Sequence, residues 1–235
     1  MRGLKEIHKE ISMGLEKHFP LERVKLSYPL PVRPRRMLGL VGMDGEVFST
    51  DKIMRTVFFR IKFPVFLNVY TTFIRSRIEY DLPALICEVV FVGKKIILVL
   101  DVHRTGDAAE LEQDKPLFDK LSEIRSRYDD LLAFEMEARG SLADIVASRA
   151  MCRLKIGAAQ ENRAVELIKE YIDVFGEAVV SSPKLSGEAL EKARKDFDAY
   201  LETVVEHDPG IKGNKIFFGK EEGVKRALEM FYGIK

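Results

Sequence analysis

Cysteine is nearly absent from this chain. There are two in 235 residues, Cys87 and Cys152, each in an apolar setting. Two cysteines build no disulfide framework, and neither stands at a metal-ligand spacing, so a reducing compartment is expected. Long apolar runs are missing as well, and none approaches the ~20 residues of a membrane-spanning helix. The opening MRGLKEIHKE is charged and amphipathic and lacks the apolar stretch of a secretion signal, which makes a cytoplasmic protein the expectation. Charge of one sign is not in excess either. With 38 Lys and Arg against 37 Asp and Glu, the net charge is +1, and no global pull on nucleic acid or membrane follows. No G-x-G-x-x-G, P-loop or H-E-x-x-H motif occurs. The four histidines, His8, His18, His103 and His207, form no i,i+4 pair. No metal, nucleotide or flavin is expected in the protein.

What is present centres on Tyr80 to His103, YDLPALICEVVFVGKKIILVLDVH. Two apolar runs, Ala84–Val92 and Ile96–Leu100, flank Gly93-Lys94. Glycine at the first position of a two-residue loop favours a type II′ hairpin turn. Pairing Val92 with Lys95 sets Glu88 opposite Val99 and Ile86 opposite Asp101. Alternation then puts Glu88 and Asp101 on one face, on a diagonal roughly 7–8 Å long at Cα. Both faces of the first strand are apolar apart from Glu88 and Cys87, the pattern of a strand covered on both sides. Burial raises a carboxyl pKa towards neutrality, and an acid so placed can donate a proton to a substrate.

Upstream, Leu4, Ile7, Ile11 and Leu15 give residues 3–18 a helical stripe ending at Phe19-Pro20. Val24–Tyr28 reads as a strand, and PLPVRPRR (29–36) as a basic, proline-broken connector. Asp44-Gly45, between Met37–Met43 and Glu46–Ser49, predicts a hairpin turn. Met54–Lys62 and Phe66–Ile74 are two further strands joined at Phe63-Pro64, so an antiparallel meander is expected over 1–104. Residues 105–235 are expected to be mainly helical, with periodic stretches at Leu117–Met136, Asn162–Val179, Gly187–Glu206 and Glu221–Tyr232. Leu142–Arg153 reads as a helix or a helix running into extended chain. Strands followed by helices imply one α+β domain over 1–235, its sheet covered by helices. Residues 1–80 carry 15 Lys and Arg against 8 Asp and Glu, a local basic surplus able to steer an acidic partner.

Tyr80-Asp-Leu-Pro83, Glu88 within ICEVV, and Leu100-Asp101 resemble the ferredoxin-dependent bilin reductases. The ending HDPGIKGNKIFFGKEEGVKRALEMFYG (207–233), with Asp208 and Phe218-Gly219, is similar to that family's C-terminal segment. The resemblance spans about residues 50–235. It implies a three-layer α/β/α sandwich around an antiparallel sheet, with a linear tetrapyrrole such as biliverdin between sheet and C-terminal helices. It also implies electrons from reduced ferredoxin, no bound cofactor, and Glu88 and Asp208 as proton donors. A histidine of one family member falls on Thr71, and an additional glutamate falls on Phe59. Thr71, Asp101, His207 and Lys212 are candidate substrate contacts. Arg149 and Arg153, at i,i+4, are candidate clamps for substrate carboxylates, because guanidinium binds carboxylate in two-point fashion. A monomer is expected. The alternative is a tetrapyrrole-binding protein without reductase activity.

Overall fold

The computed structural model describes residues 4–64, 67–104, 111–137 and 145–234. Its centre is a seven-stranded antiparallel sheet whose spatial order follows the chain: β1 (Glu22–Arg23), β2 (Gly42–Ser49), β3 (Ile53–Lys62), β4 (Leu67–Ser76), β5 (Ala84–Val92), β6 (Lys95–His103) and β7 (Cys152–Ile156). The central hairpin has the expected register, with Val92 opposite Lys95, Glu88 opposite Val99 and Ile86 opposite Asp101. Gly93 takes φ +59° while Lys94 stays at negative φ, the combination a type II′ turn requires.

Helices cover both faces, giving the three layers of an α+β sandwich. On one face lie α1 (Ile7–Glu16), α2 (Lys115–Ser126), the short α3 (Asp129–Leu132) and α4 (Glu161–Ser181). Their apolar stripes pack on Phe58, Ile74, Leu85, Cys87, Val89, Leu98 and Leu100. The opposite face, carrying Val47, Val57, Phe59 and Phe73, is roofed by α5 (Gly187–His207), α6 (Pro209–Phe218), α7 (Lys220–Ala227) and a π-helical turn, Leu228–Tyr232. With every second residue of β5 facing each layer, the strand is apolar on both sides because both sides are covered.

Several elements differ from expectation. Asp44-Gly45 is not a turn but the middle of β2, opposite Arg60 and Phe59. Asp44 forms a two-point ion pair with Arg60 across the strands. A Cβ on Gly45 would lie 2.5 Å from the Phe58 carbonyl oxygen, so glycine serves close strand approach there. The Val24–Tyr28 strand does not form: the chain pairs with β2 at Glu22–Arg23 instead, Val24 donates to Val47 O at 2.7 Å, and Val32 bridges to Met43 farther along. The 117–136 stretch divides into α2 and α3 with a break at Arg127-Tyr128. The end of Leu142–Arg153 enters β7, while residues 142–144 lie outside the described residues, as does Phe66 of the fourth strand. Helix α6 was not expected at all. Asp208-Pro209-Gly210 opens it, with proline at N1, where its missing N–H costs nothing.

Candidate functional site

Register alone aligns several candidates. One row runs directly across the roofed face through Gly45, Phe59, Thr71, Glu88, Val99 and Arg153. Thr71 and Glu88 are therefore nearest neighbours, with Arg153 two strands beyond Glu88. The next row holds Val57, Phe73, Ile86 and Asp101. Over these rows the π-helical turn sets Phe231, whose ring centroid is 6.2 Å from that of Phe59 and 5.9 Å from that of Phe73.

Asp208 reaches this face from the roof. It ends α5 and caps α6, its side chain accepting from Ile211 N at 2.7 Å. Asp208 is thus a helix cap. Burial raises its pKa, and the amides of Ile211 and Gly210 and the Lys212 ammonium pull the other way. Glu88 is pushed up to about 7, first by burial and then by the Asp208 charge, with Arg153 opposing. The Asp208 charge thus adds to burial in disfavouring the ionised form of Glu88. The result is a half-buried carboxyl that is part protonated near pH 7, next to a second acid and a cation.

The remaining candidates divide. Asp101 is buried on the same face, and its carboxylate accepts from Ser148 Oγ at 2.6 Å, Ser148 N at 3.2 Å and Val102 N at 2.8 Å. Burial lifts its pKa to about 6 against those bonds, and its role in the fold is to hold the segment entering β7. Arg149 pairs with Asp119 of α2 at 2.6 Å, so it turns towards the opposite layer from Arg153. His207 sits in the last turn of α5, 3.7 Å from Glu206, and Lys212 is exposed on α6.

Sequence reasoning missed the aromatic cluster beneath α5. His103, at the end of β6, is buried and lies 3.1 Å from the Tyr200 hydroxyl through Nε2. Burial lowers its pKa to about 4, so the ring is neutral. Tyr200 and Tyr232 pack edge to face at 6.2 Å between centroids. The apolar stripe Phe197, Tyr200, Val204 was the only signal, and a stripe does not say what it covers. The basic surplus also resolves. Arg55 and Arg75 are buried against the π-helical turn, Arg60 pairs with Asp44, and Arg77 donates to Thr50 O. Arg33, Arg35 and Arg36 of the connector are exposed, and Arg36 lies against Gly219 at the end of α6, where a Cβ would come within 3.0 Å of its guanidinium.

No helix among the described residues is long and apolar enough to cross a membrane. Those residues also contain no cluster of three or more His, Cys, Asp or Glu arranged to hold a metal ion. No family model matches the chain, and no curated protein matches it by sequence. Among solved structures it is similar to phytochromobilin synthase from tomato, crystallised in complex with biliverdin. The TM-score is 0.79 at 18% identity, covering 98% of this chain and 83% of that one. That likeness establishes a shared fold.

Proposed function

We propose that this protein binds a linear tetrapyrrole of the biliverdin class between the sheet and α5–α7 and reduces it with electrons from ferredoxin. The observation that carries the reading is Glu88. It is a carboxyl with a pKa of about 7, in the row Phe59–Thr71–Glu88–Val99–Arg153, within a fold shared with a protein crystallised with biliverdin. Reduced ferredoxin supplies one electron at a time. Two electrons and two protons add across one double bond of the pigment, and two ferredoxins are oxidised. Glu88 in its neutral form delivers one proton, and Asp208, whose charge acts on Glu88, is the second acid. Each carboxylate is then reprotonated from solvent. Arg153, a cation on the same row, suits a propionate, while Asp101 is committed to Ser148. Ferredoxin would approach over Arg33, Arg35 and Arg36, which flank the helix that Asp208 caps.

The test is anaerobic incubation of the protein with biliverdin, ferredoxin and a reducing system. Shortened conjugation should move absorption to shorter wavelength. Unchanged pigment, under conditions where a known reductase works, would refute reduction. One feature favours a second reading, binding without turnover: the two residues before Glu88 in its row, Phe59 and Thr71, carry no titratable proton. That reading expects stoichiometric binding, visible as induced circular dichroism, and no spectral loss.

A further inference from the structure

The roofed face of the sheet is shut near the π-helical turn and open beyond it. Beside the turn, Val57, Phe59 and Phe73 are 0%, 5% and 4% exposed. One strand further along the Glu88 row the burial ends. Thr71, Glu88, Val99 and Arg153 all keep part of their surface, as do Val69, Val90 and Ile97 in the row alongside. Strands stand about 4.8 Å apart, so this floor runs roughly 14 Å from Thr71 to Arg153. It is mainly aliphatic, with an acid within it and a cation at its far end. Phe231 closes the near end. Its ring meets Phe59 and Phe73 edge to face, at 85° and 78°, and it is the partly exposed residue between buried Met230 and Tyr232. Other side chains anchor the turn that carries it. Ser27 N donates to the Glu229 carboxylate at 2.6 Å, Arg55 Nε to the Glu229 carbonyl at 3.3 Å, and Arg75 to the Tyr232 carbonyl at 2.9 Å. Phe231 is thus a ring set against the sheet from a fixed mount. Turns of π-helix are rare and concentrate at functional sites.

We propose that Phe231 is the specificity-determining wall of the tetrapyrrole site: it stops the pigment at Thr71 and so decides which of its carbons lies against Glu88. This rests on the tetrapyrrole reading above. A pigment of the biliverdin class, folded back on itself, carries its carboxylates on one side and its two outer rings on the other. With the carboxylates drawn towards Arg153, the outer rings abut Phe231. Removing the Phe231 ring uncovers Phe59 and lengthens the floor by one strand spacing, about 4.8 Å, close to the step from one pyrrole ring to the next. The pigment then slides, and the acid faces a different carbon.

The test compares wild type, Phe231→Ala and Phe231→Leu in two measurements. One is biliverdin binding, followed by absorption and induced circular dichroism; the other is the product mixture of ferredoxin-driven reduction, separated by chromatography. Wild type should bind pigment and give one dominant product. Phe231→Ala should bind within about tenfold of wild type yet shift the product ratio about tenfold or more, the discrimination that one pocket contact carries. Phe231→Leu keeps most of the apolar bulk, so it should melt with wild type and give an intermediate ratio. If wild type reduces pigment and both variants return its product ratio, the wall is overturned while the tetrapyrrole reading stands. Loss of binding in Phe231→Leu that only tracks a lowered melting temperature would overturn it too, leaving the ring as packing for the roof. Where wild type binds without turnover, the bound spectrum replaces the product ratio, and one spectrum for all three proteins would overturn the wall. A wild type that takes up no pigment would bring down both readings together.

Discussion

Arg75 donates to the Tyr232 carbonyl at 2.9 Å while its guanidinium lies 3.5 Å from the Phe197 ring centroid. One buried cation thereby ties β4 to both α5 and the π-helical turn. Burial drags its pKa down to about 10, yet it stays charged at neutral pH. Arg75→Ala should lower unfolding free energy by about 2–4 kcal/mol, through a cavity and a lost carbonyl partner. Arg75→Met, which fills the space without a charge to desolvate, should cost about 1 kcal/mol or less. Urea denaturation midpoints of the two variants check this, and equal losses would show that charge rather than packing fastens the roof.

Glu88 makes a prediction about pH and stability. Its folded pKa, about 7, exceeds the ordinary 4.5. Between those values the folded state holds a proton that the unfolded state has released, so stability falls as pH rises through 4.5 to 7. Above pH 7 the full penalty, at most about 3 kcal/mol, persists. Glu88→Gln removes it, and the variant should gain on wild type steadily over that window. His8 and His103, both lowered to about 4, act with the opposite sign below pH 6.5, so the difference between the proteins is the quantity to measure. A constant difference from pH 4.5 to 7 would place the Glu88 pKa elsewhere.

In the reduction assay Glu88→Gln should still bind pigment but stall after the first electron, with a radical signal accumulating. Unaffected turnover would remove Glu88 from the proton path.

Asp208 has two separable roles, cap and acid. Asparagine caps helices as well as aspartate does, whereas alanine costs about 1 kcal/mol. Asp208→Asn should keep the melting temperature and change the rate or product distribution. Asp208→Ala should lose both. If Asn and wild type reduce pigment alike, the cap is all that Asp208 supplies.

Ferredoxin docking predicts that Arg35→Glu/Arg36→Glu slows electron delivery without weakening pigment binding. The wild-type rate should fall with added salt, as screening shortens to a few Å in several hundred millimolar salt. Salt-independent turnover would locate the donor on another face.

Much of this architecture was legible in the sequence, for identifiable reasons. A two-residue hairpin fixes register, so the partners of Glu88 and Asp101 followed from Gly93-Lys94 alone. Asp44-Gly45 misled because local turn preference was outweighed by cross-strand pairing with Arg60 and Phe59. Asp208-Pro209-Gly210 is equally good chemistry for a turn and for a helix start, and only the packing of Ile211 and Phe217 decides between them. Arg55 and Arg75 read as surface charge because no local pattern reveals the π-helical turn that covers them. The nearness of Asp208 to Glu88 joins residues 120 positions apart, beyond the reach of periodicity.

The agreement of strand order with chain order has a consequence for how the molecule is built. Each strand from β3 to β6 pairs with the one made just before it across a short connection, so β2–β6 can assemble by successive hairpins, with short loops to close. The helices roofing the Glu88 face are all made after that sheet. Until α5–α7 arrive, Glu88 stands in water as an ordinary ionised glutamate. Its proton is acquired during assembly, and the acid becomes an acid near neutral pH only as the roof closes.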